Sequence, residues 1–112
     1  MKIRTGFVSN SSSSSFVIIG TTGVTEEDIR KELSRYDEEL KDALDGFEGA
    51  DPEKELDKAA HYLFRVLQDG AELKGIRAGG GTVGSEGDDL FEYFLYTLDD
   101  VETAKFKFVK SG

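Results

Sequence analysis

His61 is the single histidine in a chain of 112 residues that contains no cysteine. A general base needs a nucleophile and an orienting partner within hydrogen-bond reach, and no spacing in this sequence places either beside it. With no thiol and one imidazole, thiol catalysis, disulfide frameworks, and Cys-ligated or multi-His metal sites are excluded. His61 therefore reads as a histidine on or near a helix surface. Neither catalytic residues nor metal ligands are expected.

The stretch Gly79–Gly87 has a different chemical potential, because five of its nine residues are glycine. Glycines let backbone N–H groups approach an anion closely, and a following helix start would add its dipole. However, the stretch lacks a Gly-Lys-Ser/Thr ending and a GxGxxG pattern, and Glu86, Asp88 and Asp89 would repel a phosphate unless Mg²⁺ intervened. A flexible connector is the expectation, with a small Mg-dependent nucleotide-binding protein as an alternative. No cofactor is expected.

Charge is the strongest compositional signal: 14 Lys and Arg against 23 Asp and Glu, a net −9. A groove that binds nucleic acid directly needs basic residues for the phosphates, so that class is disfavoured. The excess sits in two blocks. Residues 25–58 carry −8 but are interspersed with Arg and Lys, whereas Glu86 to Glu102 holds seven acids and no base. Glu86, Asp88, Asp89, Glu92, Asp99 and Asp100 are thus the candidate partner-binding residues. Such a surface can meet the basic groove of a protein partner and imitate a nucleic-acid backbone there.

These residues need elements to hold them. Phe16-Val17-Ile18-Ile19 is a continuous apolar run that predicts a strand near 15–20 buried on both faces. Ile29, Leu33, Tyr36, Leu40, Leu44 and Phe47 recur at helical spacing and predict a helix over 25–45. Thr25 with Asp28 has the pattern of a capping box, and Val24 with Ile29 that of a hydrophobic staple. Glu26–Arg30, Glu27–Lys31 and Asp37–Lys41 have the acid-first order of supporting i,i+4 pairs. Asp51-Pro52 opens a second helix over 52–69, antiparallel to the first.

A strand near 73–78 and a third helix over 88–98 follow; Phe91 to Thr97 is rich in β-formers and a strand is the rival reading there, but large apolar residues occupy both parities, which favours the helix. Lys105 to Lys110 alternates, predicting a half-buried strand near 104–110 with its lysines on the edges or the outer face. The order predicts one α+β domain over 1–112, a small sheet covered by helices, preceded by a Ser-rich segment over 1–14 whose residues 9–14 read as a loop. The apolar run Phe16–Ile19 is shorter than the roughly 7–15 residues of a signal-peptide core, and no membrane span is expected.

The opening, Arg4-Thr5-Gly6-Phe7-Val8-Ser9-Asn10-Ser11-Ser12-Ser13-Ser14-Ser15-Phe16, resembles the N-terminus of a group of small uncharacterised proteins of tailed bacteriophages and some bacterial genomes. The likeness covers about the first eighteen residues; Arg4, Phe7, Ser9, Asn10, Ser11, Ser12 and Ser13 carry the signature. It implies a phage-encoded protein in the cytoplasm of a bacterial host or in the virion, and it assigns no catalytic residue. The combined expectation is a non-enzymatic accessory protein that binds a host or phage protein, with a minor virion component as an alternative.

Overall fold

The computed structural model describes residues 13–84 and 89–111. Within them the chain runs through β1 (Ser13–Thr21), α1 (Glu26–Leu33), a 3-10 turn (Ser34–Tyr36), α2 (Asp37–Leu44), α3 (Pro52–Gln68), β2 (Ala71–Leu73), β3 (Ile76–Gly84), α4 (Leu90–Thr97), β4 (Val101–Glu102) and β5 (Phe106–Ser111). The five strands form one sheet in the order β2-β3-β1-β5-β4, antiparallel throughout. This is the α+β arrangement expected from the sequence, with the helices packed on one face of the sheet.

Local signals position the helices. Thr25 Oγ1 accepts from the Asp28 amide at 3.1 Å and Asp28 Oδ2 accepts from the Thr25 amide at 3.0 Å, closing the capping box. Val24 and Ile29 are both buried beside it. Asp51 Oδ1 accepts from the Glu53 amide at 3.1 Å, with Pro52 in the first turn of α3. The predicted helix over 25–45 is in fact broken by the 3-10 turn at Ser34–Tyr36, which re-aims the second half. Phe47, the last residue of its apolar stripe, lies beyond the end of α2 and is 52% exposed.

The sheet departs from expectation in instructive ways. Phe16 and Ile18 are buried, whereas Val17 and Ile19 are 45% and 40% exposed, so β1 is covered on one face only. Ser13 and Ser14, read as part of a loop, belong to β1 opposite Gly84 and Val83. The strand expected near 73–78 is interrupted at Lys74-Gly75, both at positive φ, where a tight two-residue turn joins β2 to β3. Lys110, expected at an edge or on the outer face, pairs with Phe16 and lies on the covered side, with its Nζ donating to the Tyr96 carbonyl.

The glycine run is the largest correction. Residues 79–84 are not a flexible loop but most of β3, paired from Ile18↔Gly79 to Ser13↔Gly84. Their composition answers a packing demand: a Cβ at Gly79 would overlap the carbonyl oxygen of Val66 on α3. The absence of side chains lets α3 lie against the backbone of the strand. Tyr62 of α3 then donates to the Thr82 carbonyl at 2.9 Å and packs edge-on against Phe16 and Phe91. Residues 85–88 of the same stretch lie outside the described residues. Below α3, the covered face gathers Phe16, Ile18, Phe106 and Phe108 against Ala60, Leu63, Leu67, Phe94 and Leu95.

Candidate functional site

The connection from α2 to α3 forms a turn with Gly46 and Gly49 at positive φ. Together with the start of α4 it walls a cleft of about 1030 Å³. Six carboxylates line that cleft: Asp42, Asp45, Glu48, Asp51, Glu55 and Asp89, with Lys54 as the one base among the lining residues. Phe47 and Tyr93 add aromatic surface. Among the described residues, Asp42, Asp45, Glu48 and Asp89 have no ion-pair partner.

Position makes these charges costly. Asp42 lies in the last turn of α2 and Asp45 caps its C-terminus, the negative end of the helix dipole. An acid there forfeits roughly the 0.3–1 kcal/mol that a base would contribute. Asp51, by contrast, is favourably placed as the N-cap of α3.

Glu55 is the most unusual member. It is 8% exposed, and it is the single charged side chain in the buried set of the described residues. Its Oε1 is sealed from solvent and accepts no hydrogen bond, while Oε2 stands 3.7 Å from Lys58 Nζ. A buried acceptor left without a donor costs about 1–3 kcal/mol, and more when the group is charged.

The opposite flank of α3 is built differently. Arg30 of α1 donates to Glu53 at 2.7 Å and to Asp57. His61 Nδ1 lies 2.9 Å from Glu26 Oε1, so the lone histidine helps tie α3 to α1. Of the expected i,i+4 pairs, Asp37–Lys41 closes at 3.0 Å, whereas Glu26 and Arg30 turn away from each other to reach α3. Lys105 Nζ reaches Asp28 at 3.0 Å. The Asp28 carboxyl is held below its ordinary range, first by the Thr25 backbone amide and then by Lys105.

The candidate partner-binding residues are not brought together. Asp89 lines the cleft. Glu92 lies near Tyr62, whose hydroxyl pKa is raised by burial and then by this carboxylate. Asp100 Oδ1 accepts from the Lys110 amide at 3.0 Å. Burial lowers the Lys110 ammonium pKa, and Asp99 and Asp100 partly oppose that shift. Glu102 meets Lys107 at 3.8 Å across the β4–β5 ladder. In the block that looks baseless in sequence, Glu102 thus receives a base from the next strand, and Asp100 receives a backbone amide of that strand. Glu86 and Asp88 lie outside the described residues, as do Arg4, Phe7, Ser9, Asn10, Ser11 and Ser12; Ser13 begins β1.

Sequence reasoning passed over Asp42, Asp45, Glu48, Asp51 and Glu55, which it counted within a block laced with bases. A signal was present: the first four recur every third residue, with no base between Lys41 and Lys54. Among the described residues no group of three or more His, Asp or Glu side chains is placed to hold a metal ion. No helix among them is long and apolar enough to cross a membrane. No protein-family model matches the chain, and neither does any curated protein or solved structure.

Proposed function

We propose that this protein acts by binding, as a non-enzymatic accessory protein of the phage type its opening resembles, and that it engages the basic surface of a host or phage protein. The acidic cleft between the α2–α3 turn and α4 is the docking surface. The observation that carries this reading is the set of cleft carboxylates without counter-ions, two of them at the unfavourable end of α2. Charge that serves solubility alone can be spread over a surface at little cost. Charge held together against its own repulsion and against a helix dipole is accounted for by a cationic partner that neutralises it. Proteins whose basic surface ordinarily meets nucleic acid fall within this class, and the cytoplasm of a bacterial host supplies them.

Capture from a bacterial lysate at low and at high salt tests the reading. Retention of a basic protein at low salt and its release at high salt is the expected result, because exposed charges are screened within about 8 Å at physiological ionic strength. A lysate that yields no salt-sensitive partner contradicts it.

A further inference from the structure

Five of the six large apolar side chains exposed among the described residues, Val17, Ile19, Leu73, Ile76 and Val109, stand on the face of the sheet that the helices leave open. Cross-strand partners gather them: Val17 lies opposite Val109, and Leu73 lies opposite Ile76, which pairs with Thr21 two positions on from Ile19. An antiparallel sheet that meets water on one side ordinarily alternates apolar with polar residues, whereas Phe16-Val17-Ile18-Ile19 has the unbroken apolar run of a strand covered twice. The molecule is 19 Å thick, one sheet and one helix layer, and among the described residues nothing forms a second cover.

Charge and size select what does. The chain is 33% charged, yet among the described strand positions this face bears only Lys107 and Glu102, and they meet each other at 3.8 Å. A basic partner gains nothing from a neutral apolar face. Two chains of net −9 repel through most of their surface, and this face is where they can meet at least electrostatic cost. A strand spacing of about 4.8 Å and a rise of about 3.3 Å per residue give the five strands a footprint of roughly 500 Å². A pair of such faces buries about 1,000 Å², the size at which a specific interface becomes stable, whereas monomers rarely expose so large an apolar patch.

We propose that this face pairs two copies of the chain, sheet on sheet, about a two-fold axis near Val17, the middle residue of the central strand β1. The acidic cleft is walled by the helix layer, so pairing leaves it open. The pairing stands whether or not that cleft docks a partner.

Sedimentation velocity of the full chain from about 1 to about 100 μM tests it, a range that spans the micromolar constants of weaker interfaces of this size. A mass of two chains is expected at the upper end, and added salt is expected to preserve it, because the contact is apolar and the repulsion between copies is screened. Val17→Lys sets two like charges face to face and is expected to weaken pairing at least about hundredfold, with the circular dichroism of the fold unchanged. Glu27→Gln, the same change in net charge on an exposed residue of α1, keeps the pair. A parent chain that stays monomeric throughout this range overturns the proposal and leaves the face to a different protein or to the chain before Ser13. Pairing that survives Val17→Lys, or that dissociates in salt, overturns it as well. The measurement on the parent chain needs no variant to fold.

Discussion

The two flanks of α3 use the same residue types to opposite ends. On the α1 side, Glu53, Asp57 and His61 are spaced by four residues and meet Arg30 and Glu26, so the Arg30 ion pairs and the His61–Glu26 contact hold two helices together. On the α2–α4 side, Glu55 and Asp51 face Asp42, Asp45, Glu48 and Asp89 across a cleft, with Lys54 as the one lining base. The first flank has the electrostatics of a structural contact. The second has carboxylates without such pairing, which is the contrast the proposed docking surface rests on. Acidity in this protein is therefore divided between paired carboxylates that hold the fold and carboxylates that have no ion-pair partner among the described residues, and total charge does not reveal the division.

The largest expected effect removes both flanks at once. Gly79→Val places a side chain where the carbonyl of Val66 lies, so α3 must lift from the sheet. Urea unfolding is expected to show a loss of about 3 kcal/mol or more, if the variant folds at all. An unchanged midpoint would mean that α3 does not rest on β3 as described. Next comes the paired flank alone. Arg30→Ala leaves Glu53 and Asp57 facing each other without their base, and a loss of about 1 kcal/mol is expected from these partly exposed pairs.

The unpaired flank should respond with the opposite sign. Asp42→Asn with Asp45→Asn and Glu48→Gln relieves repulsion and removes two acids from the C-terminal end of α2. A gain of up to about 1 kcal/mol is expected in the same urea assay. A loss would show that these acids support the fold, and the contrast between the flanks would collapse.

The smallest effect concerns pH. Asp28 has its pKa lowered from 3.8 by the Thr25 amide and Lys105, so the folded state binds its proton less readily than the unfolded chain. Its contribution is present above the unfolded value and is lost as pH falls through the folded one. Melting temperatures of the parent and Asp28→Asn are expected to differ at neutral pH and to converge in acid below that value.

What was legible in the sequence was local. The Thr25–Asp28 box and the Asp51-Pro52 helix start depend on residues within a few positions of one another, and they stand where the pattern places them. The α+β class followed from the order of such segments. The glycine run was misread because its cause lies in α3, at Val66, and not in its own neighbours. The one-sided burial of β1 was hidden for the same reason: Val17 and Ile19 look like core until the helices are seen to cover only the other face.

Charge was misread through long-range pairing. Glu102 finds Lys107 in the adjoining strand, whereas Asp42, Asp45 and Glu48 have no ion-pair partner among the described residues, although Arg and Lys are frequent in the surrounding block. Glu55 stands next to Leu56 in α3 and is buried with Leu56 and Ala59, which its charge in the sequence does not announce.

The central claim, that the cleft acids serve a partner rather than the fold, is tested most directly by lysate capture with two charge-matched variants. One neutralises Asp42, Asp45 and Glu48; the other neutralises Glu27, Asp69 and Glu72, which are exposed and lie outside the cleft lining. Loss of the salt-sensitive partner from the first variant and its retention by the second is the expected result. Equal retention or equal loss would mean that net charge, and not this cleft, governs binding.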